Sequence, residues 1–508
     1  MKSGTAHGFG FPVSARLEEE SSRPTALITR SVMVTWWLHR GDSVRRSQQQ
    51  LREDALAIWR ASVEAVGSER LIGETVQVAN GALQIGEHSI PLDDISRIVV
   101  VGAGKAGAGM AAGMEAALAE IAEAKQLQGW VNVPEDCVRP LQYITLHGAR
   151  PAGMNEPTEA GIAGSEELLE LVSSLEPSDL CLCLISGGGS ALLPAPVGAI
   201  SLSDKQVVTK HLSGAGANIE ELNTVRKRLS RIKGGGLARA CRAGQLFTLI
   251  ISDVIGDPLD VIASGPTVPN STTAQDALDV LERFNSREAG VSPALFEYLE
   301  SDASSLSLSR SLPLSPPPLC QVTNLVIGNN ALAVDAAGIE AERRGYSHAM
   351  MAATSLEGEA EDVGRHLAEM ALRMRDEPGP DCLITGGEPI VQLVDEATRG
   401  KGGRNQQLVL AALLQLLEAT PNDPTEALRN IALLAGGTDG EDGPTDAAGA
   451  LIDFAISEAI VRERPDPRIF LERNDAYHFF ERLGALIRTG PTHTNVCDLR
   501  VVTVSQPK

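Results

Sequence analysis

Apolar residues recur with two different periods along this chain, and together they predict alternating helices and strands. A helical period over 47–66 places Leu51, Ile58 and Val66 on one face, with Ser47 in position to cap the helix. Continuous apolar runs then predict buried strands at 97–101, 129–133, 143–148, 180–185 and 246–252. Helical patterns separate them: one ends near 124, and others cover 166–175 and 219–233. Apolar strands joined through helices are typical of a parallel sheet covered on both faces, which predicts an α/β fold with a Rossmann-like first domain.

The pattern restarts after a stretch that is incompatible with a helix or a central strand. Residues 302–320 contain three consecutive prolines among serines and leucines, which predicts a linker or surface insertion. Beyond it, strands are predicted at 324–329, 381–385 and 430–436, with one helix from about 331 and another at 405–418. We therefore expect a poorly ordered extension at 1–46, an N-terminal Rossmann-like domain at 47–320 and a smaller C-terminal α/β domain at 321–506.

Composition restricts the class of partner. The chain has 508 residues and a net charge of −22, which argues against nucleic acid or an anionic membrane as the main partner. Seven cysteines show no CxxC pair, and Cys181 and Cys183 are expected to be buried thiols on one strand, as in a reducing cytoplasm. The one short apolar segment in the extension is too short for a membrane span, which needs about 20 residues.

Five glycine-rich turns follow or precede the apolar runs, at 102–109, 186–193, 233–236, 385–389 and 400–405. Successive glycines let backbone N–H groups converge on an anion. The first turn matches the G-x-G-x-x-G dinucleotide fingerprint, with Glu135 or Asp136 as a candidate ribose ligand. However, Lys105 inside it suits a phosphate or carboxylate, and an ordinary turn with a solvated lysine is the simpler alternative.

Charged residues cluster beside these turns. Residues 223–233 hold five cations, which indicate either the solvated face of a helix or ligands for an anion. Asp253 follows a predicted strand, where a carboxylate can hold Mg²⁺, accept a proton or cap a turn. The loop 437–446 is rich in acids, and it can either hold Mg²⁺ through one carboxylate or be a solvated loop.

Taken in order, these segments closely resemble the two-domain glycerate kinases whose second half is called the MOFRL domain. The resemblance covers roughly residues 50–505 and is carried by long strings: VVGAGKAGAGM, LISGGGSALL, NTVRKRLSRIKGGGLA, ISDVIGDPLDVIASGPTVP, ITGGEPIVQL, GKGGRNQQLVLA, GGTDGEDGPTDAAGALID and GPTHTNVCDLRV. The resemblance implies that D-glycerate is phosphorylated with ATP and Mg²⁺, mostly at the 2-hydroxyl to give 2-phosphoglycerate and ADP, in a cleft between the domains.

The resemblance also assigns roles to residues. The catalytic residues would be Lys105, Asp253, Glu388 and Arg404. Substrate or nucleotide binding would involve Gly104, Ser186, Gly187, Gly188, Gly189, Ser190, Gly387, Asn405, Asp439 and Asn495. The metal ligands would be Asp253 and Asp442. One departure concerns His493, which occupies a turn where the family has glycine, and a side chain there can reshape the loop around Asn495.

Two other classes of function remain as alternatives. One is an NAD(P)H-dependent hydroxypyruvate reductase that uses the glycine fingerprint, and the other is a non-catalytic protein that binds a sugar acid or nucleotide. For the kinase, the expected partners are D-glycerate and ATP, with a homodimer as a candidate assembly, without nucleic acid or membrane, and the expected location is the cytoplasm.

Overall fold

The computed structural model describes residues 45–154, 156–307 and 320–506. All of them belong to one compact unit, Trp36–Lys508. The predicted extension at 1–46 lies outside the described residues except for its last two positions.

The described strands form three sheets. A small antiparallel sheet contains β1 (Val76–Ala79), β2 (Ala82–Ile85) and β3 (His88–Pro91). The first large sheet contains β4 (Ile98–Ala103), β5 (Gln128–Pro134), β6 (Ile144–Arg150), β7 (Leu180–Ser186), β8 (Gln245–Ile251) and β9 (Gln321–Gly328). The second contains β10 (His348–Met351), β11 (Cys382–Gly387), β12 (Ile431–Gly437), β13 (Gly449–Ile452), β14 (Leu486–Ile487) and β15 (Asp498–Val504). The first large sheet, together with the helices that connect its strands, is called the first lobe. The second large sheet with its connecting helices is called the second lobe.

The α-helices between these strands vary from single turns to 18 residues. They are α1 (Gln48–Ala65), α2 (Ser68–Thr75), α3 (Gly107–Leu118), α4 (Glu159–Ser173), α5 (Gly189–Leu192), α6 (Leu202–Gly214), α7 (Ile219–Arg228), α8 (Gly236–Ala240), α9 (Ala274–Arg283), α10 (Pro293–Ser307), α11 (Asn330–Arg343), α12 (Ala360–Asp376), α13 (Arg404–Ala419), α14 (Phe454–Glu463), α15 (Pro467–Glu472) and α16 (Ala476–Leu483). Ser47 caps α1 through a capping box with Gln50, as the sequence predicts.

The first sheet has the topology predicted for a Rossmann-like domain. All of its strands are parallel, in the order β6-β5-β4-β7-β8-β9. The connections therefore change direction between β4 and β7, and a doubly wound sheet binds ligands at the carboxyl ends of the strands at such a switch point. The glycine turns at 102–109 and 186–193 follow these two strands. The prediction of a parallel α/β domain is confirmed.

The second sheet is mixed. Its order is β10-β11-β15-β12-β13-β14, and only β10 and β11 pair in parallel. The last strand, β15, lies between β11 and β12 and antiparallel to both, so its first residue, Asp498, is registered with Gly387 and with Gly437. This pairing brings the carboxyl ends of β11 and β12 and the start of β15 to one edge.

Several boundaries differ from the sequence prediction. Strand β9 pairs with β8, so the first sheet ends at residue 328 instead of near 320. Helix α10 continues to Ser307, into the stretch expected to be a linker, while 308–319 lie outside the described residues. Helix α7 ends at Arg228 and α3 at Leu118, both earlier than predicted, because glycine-containing or irregular turns follow them.

The two lobes share part of their hydrophobic core. One cluster of buried side chains contains Val100 and Leu184 from the first sheet together with Ile384 and Leu434 from the second. Trp59 of α1 belongs to the same cluster and donates its indole N–H to the Gly436 carbonyl at 3.3 Å. Helices α6, α7, α9 and α10 enclose a separate core. No helix within the described residues is both long and apolar enough to cross a bilayer.

Candidate active site

The glycine turns after β4 and β7 lock together at the switch point. The backbone N–H of Lys105 donates to the Gly187 carbonyl at 2.8 Å, and that of Ala106 donates to Ser186 Oγ at 3.0 Å. Gly104 has a φ of +150°, and a Cβ there would lie 2.0 Å from Ser186 Oγ. The close approach that requires glycine is thus made by the neighbouring turn of the protein itself.

Lys105 extends from this turn to the second lobe. Its Nζ donates to Asp439 Oδ2 at 2.8 Å and to Glu441 Oε2 at 3.2 Å. Burial alone would lower the pKa of Lys105, but the two carboxylates outweigh it and raise the pKa above its usual value. A lysine from the first lobe and an acidic loop from the second therefore meet across one cleft, and Glu441 is a site residue that the sequence prediction missed.

Arg404 occupies the first position of α13, where it is fixed by two carboxylates. Its Nε and Nη2 donate to the two oxygens of Asp498 at 2.6 and 3.0 Å, and its Nη1 donates to Glu388 Oε1 at 2.9 Å. Burial would lower the pKa of Arg404, but Asp498 and Glu388 raise it overall. Such a bidentate pair holds the guanidinium plane in one orientation.

Asp498 was missed by the sequence prediction. Its side chain is only 1% exposed. The available signal was an acidic residue at the start of a strand, at 498–504, that is mostly apolar apart from Arg500 and Thr503, since a buried charge is rare without a partner.

Asp253 lies at the carboxyl end of β8 and faces the second lobe. Its Oδ2 accepts a hydrogen bond from Asn495 Nδ2 at 3.0 Å, and its carbonyl accepts one from Cys497 Sγ at 3.0 Å. Burial, and then repulsion from the Glu388 carboxylate, raise the pKa of Asp253 to about 6. A Cβ at Gly187 would lie 2.1 Å from Asp253 Oδ2, so glycine is needed for this approach.

Glu388 connects Arg404 to this group. Burial raises the pKa of Glu388 despite the opposing charge of Arg404. Its Oε2 is 3.8 Å from the Cys497 thiol, which was not among the predicted site residues. Lys105, Asp253, Glu388, Arg404, Asp439 and Asn495 are therefore brought to the same cleft, although they are distributed over almost 400 residues of sequence.

Asp442 is placed differently from its expected role as a metal ligand. Its Oδ1 accepts from the Asn405 backbone N–H at 3.0 Å, and its Oδ2 from that of Gln406 at 2.8 Å. Burial raises the pKa of Asp442 to about 7. Both oxygens thus cap the N-terminus of α13, and Asn405, which is fully buried, turns its amide to the same carboxylate at 3.3 Å. These contacts support a structural role for Asp442 and Asn405.

The remaining glycines and Ser190 surround the cleft. Gly188 has a φ of +77°, and a Cβ there would lie 3.4 Å from Lys105 Cγ. A Cβ at Gly189 would contact Ala263 at 3.1 Å, and one at Gly387 would lie 1.7 Å from Glu357 Oε2. Glu357 forms an ion pair with the buried Arg500. The absence of a side chain at Gly387 therefore leaves room for this structural ion pair. Ser190 is turned toward cations of the first lobe.

The turn that contains His493 keeps the conformation that favours glycine. His493 has a φ of +56°, and its carbonyl accepts a hydrogen bond from Ser68 Oγ at 2.6 Å. Thr494 Oγ1 donates to the Val66 carbonyl at 2.5 Å. The loop is therefore held against the start of α2, and Asn495 still reaches Asp253.

The donors in the cleft limit how a metal ion could be held. Within the described residues, no group of three or more His, Cys, Asp and Glu side chains is arranged to hold a metal ion. Mg²⁺ at phosphoryl-transfer sites is commonly held by one or two carboxylates together with substrate phosphates and water. The carboxylate of Asp253 provides oxygen atoms of this kind. Asp253 therefore remains the metal ligand that the sequence predicts.

Comparison with known proteins gives consistent results. The family described as "Domain of unknown function (DUF4147)" matches residues 54–300, and the MOFRL family matches residues 381–498. The chain is 35% identical to a glycerate kinase of Mus musculus, over 90% of this chain and 94% of that protein. It is 36% identical to a D-glycerate 2-kinase of Thermotoga maritima, over 89% of this chain and 98% of that protein.

A solved structure agrees with this relationship. The crystal structure of a glycerate kinase from Thermotoga maritima superposes with a TM-score of 0.73 at 34% sequence identity. The superposition covers 90% of this chain and 100% of the Thermotoga maritima chain. The similarity extends over both lobes and includes the cleft between them. The chain belongs to the glycerate kinase family whose second half is a MOFRL domain.

Proposed function

We propose that this protein transfers the γ-phosphoryl group of ATP to the 2-hydroxyl of D-glycerate, giving 2-phosphoglycerate and ADP. The observation that carries the proposal is the meeting of Lys105 and Asp253 from the first lobe with Asp439, Glu388 and Arg404 from the second. Cations and carboxylates on rigid turns are the groups that phosphoryl transfer requires, because its catalysis depends on positioning and charge neutralisation.

The cations supply the charge stabilisation. Lys105 is a flexible point charge, and an anionic group entering the cleft would compete with Asp439 and Glu441 for it. Arg404 keeps its orientation through Asp498, so its guanidinium can stabilise developing charge on the transferred group without reorganising. The glycine turns at 102–109 and 186–193 pack against each other and so fix the backbone position of Lys105.

Asp253 is the carboxylate best placed to act on the acceptor hydroxyl. Its pKa of about 6 lies near neutrality, as suits a general base, and Asn495 holds one of its oxygens. It is also the candidate oxygen ligand of Mg²⁺, which would neutralise charge on the nucleotide phosphates. A charge-neutral substitution of Asp253 combined with a metal titration separates these two roles.

The experiment incubates the purified protein with D-glycerate and Mg·ATP and couples product formation to enolase. Enolase alone converts 2-phosphoglycerate to phosphoenolpyruvate, which is followed by absorbance, whereas 3-phosphoglycerate needs phosphoglycerate mutase as well. We expect ADP release and absorbance with enolase alone. Absorbance only after addition of mutase would contradict the proposed position, and absence of ADP would contradict the kinase.

The alternative reductase receives less support from the geometry. In a dinucleotide fingerprint, glycine allows the pyrophosphate to approach the turn. Here the space beside Gly104 is filled by Ser186, and Lys105 is directed to the acidic loop of the second lobe. Oxidation of NADH or NADPH with hydroxypyruvate, measured on the same preparation, would favour the reductase.

A further inference from the structure

The basic stretch at 223–233 separates into two kinds of cation. Lys227 pairs with Asp260, Arg228 with Asp302 and Arg231 with Glu166. Arg226 and Lys233 have no acidic partner within salt-bridge distance among the described residues. Three cations of the stretch therefore have a structural role in ion pairs, whereas Arg226 and Lys233 do not.

The two unpaired cations converge on Ser190. Arg226 Nη2 donates to Ser190 Oγ, and Lys233 Nζ donates to the same oxygen at 2.5 Å and to the Ser190 carbonyl at 2.8 Å. Lys233 is 3% exposed, whereas Ser190 and Arg226 are half-buried. The Ser190 hydroxyl therefore lies between the half-buried guanidinium of Arg226 and the buried amino group of Lys233.

A third cation adds to this charge. Lys205 of α6 is 8% exposed, and its Nζ donates to the Leu229 carbonyl at 3.0 Å. Burial, together with the charge of Arg226, lowers the pKa of Lys205 to about 7, and burial, Arg226 and Lys205 lower that of Lys233 well below its usual value. The cations destabilise one another, so an anion among them would relieve both repulsion and lost hydration.

The backbone beside Ser190 includes two consecutive non-glycine residues in the left-handed region. Ala263, Ser264 and Gly265 have φ values of 49°, 62° and 61°. The N–H groups of Gly234 and Gly235 donate to the carbonyls of Ser264 and Gly265 at 3.0 and 2.8 Å. Ser264, which is 1% exposed, places its Oγ 3.0 Å from that of Ser190. Consecutive left-handed non-glycine residues are costly and are concentrated at functional sites.

We propose that Arg226, Lys233 and Ser190 form a binding site for a phosphoryl group of a substrate or product. A phosphoryl group carries up to two negative charges and several acceptor oxygens, which match two cations and a hydroxyl, whereas the single charge of a carboxylate would leave a buried cation unpaired. A Cβ at Gly188, two residues before Ser190, would lie 3.4 Å from Lys105 Cγ, so the site adjoins the catalytic cleft. Assigning the phosphoryl group to the nucleotide or to phosphoglycerate rests on the proposed kinase function.

The test compares ligand binding by full-length variants with calorimetry. The variants are Lys233→Met and Arg226→Met, with Lys210→Met, an exposed lysine of α6, as the matched control. The probes are ADP, 2-phosphoglycerate and D-glycerate. We expect a roughly 10–100-fold loss of affinity for ADP or for 2-phosphoglycerate, as for loss of one charge-assisted hydrogen bond, and the probe that loses affinity identifies the source of the phosphoryl group. D-Glycerate binding should be unchanged.

A second variant guards against misfolding. Ser190→Asp places a carboxylate between the two cations, so it should raise or preserve the thermal midpoint and still abolish binding of the phosphorylated probe. A merely structural Ser190 would instead give a lower midpoint.

The outcomes distinguish this site from the proposed reaction. Unchanged affinities of Lys233→Met for both phosphorylated ligands, or a loss confined to D-glycerate, would overturn the site even if the wild-type protein is a kinase. If the wild-type protein shows no kinase activity, a thermal shift by inorganic phosphate that is absent in Lys233→Met would still support the site.

Discussion

Asp253 shows how a single residue can connect the chemistry of the cleft to the stability of the fold. It is a half-buried acid whose pKa is raised to about 6 by burial and, in part, by Glu388 of the other lobe. Folding therefore favours its protonated form. The carboxylate that the reaction would use above that pH destabilises the protein, which is a common compromise at functional sites.

Replacing Asp253 by asparagine should lower activity and raise stability. We expect kcat to fall by about 10²–10⁴-fold, while the free energy of unfolding exceeds that of wild type by an amount that grows from about pH 4 to about pH 6 and then stays constant. Wild-type activity should decline as pH falls through about 6. The measurements are kcat against pH and denaturant unfolding against pH, with the exposed Asp279→Asn as control.

The same variant distinguishes base from metal ligand. If Asp253 holds Mg²⁺, the Mg²⁺ concentration for half-maximal residual activity should rise greatly in Asp253→Asn. If it is the base, that concentration should stay near the wild-type value. Wild-type turnover by Asp253→Asn at every pH would exclude both roles.

The sequence allowed prediction of those site residues that follow predicted strands or glycine turns. Lys105, Asp253 and Glu388 each lie within two residues of the end of a strand, and such positions collect at one edge of a sheet. Asp498 and Cys497 could not be placed in this way, because they lie at the start of a strand, not after its end, and the antiparallel insertion of that strand is a long-range pairing. Asp442 was interpreted as a ligand because an acid in a glycine-rich loop has the same local pattern whether it binds an ion or caps a helix.

At the scale of elements, periodicity located helices and strands well but did not indicate which neighbours they have. The helix predicted at 47–66 forms as α1, yet its buried face packs against α11, β12 and β15 of the second lobe. Strand β9 was predicted at nearly its observed position, but its pairing with β8 is not encoded in its own apolar pattern. Pairing partners depend on contacts hundreds of residues apart.

Helix α1 should stabilise the second lobe mainly through Trp59. Its ring is 1% exposed and lies against Gly436, where a Cβ would be 3.1 Å from the indole. Trp59→Ala should lower the free energy of unfolding by about 3–5 kcal/mol, because it leaves a large cavity. Arg60→Ala, on the exposed face of the same helix, should change it by less than about 0.5 kcal/mol. If the two substitutions lowered the free energy of unfolding equally in denaturant titrations, α1 would not be anchored through Trp59.

The chain entering α1 should be anchored at Arg46. Its guanidinium donates to Asp381 at 2.7 Å and to the Gly345 carbonyl at 2.7 Å, and it stacks 3.5 Å above the Tyr346 ring. Deleting residues 2–44 should therefore leave kcat and the thermal midpoint nearly unchanged. Arg46→Ala should cost about 3 kcal/mol, since it leaves the largely buried Asp381 carboxylate without its cationic partner. A large loss of stability in the deletion variant would contradict this boundary.

At the scale of the whole molecule, binding an anion requires local charge to overcome the overall field. The net charge is −22, which repels anionic substrates at long range. Lys105 and Arg404 place positive charge in the cleft, one from each lobe, and carboxylates hold each of them in position. Reaction therefore depends on both lobes contributing charge to one site.

This dependence predicts strongly non-additive effects of Lys105→Ala and Arg404→Ala. Each single substitution should lower kcat/KM by about 10²–10³-fold, because each removes a preorganised charge donor. If both act on one transition state, the double variant should be little worse than either single variant, as for other residues that act as a unit. The measurement is kcat/KM for the four proteins, with circular dichroism to verify folding and Arg60→Ala as a control for loss of a cation elsewhere. Simple additivity of the two losses would show that the lysine and the arginine act on separate steps and would contradict a shared site between the lobes.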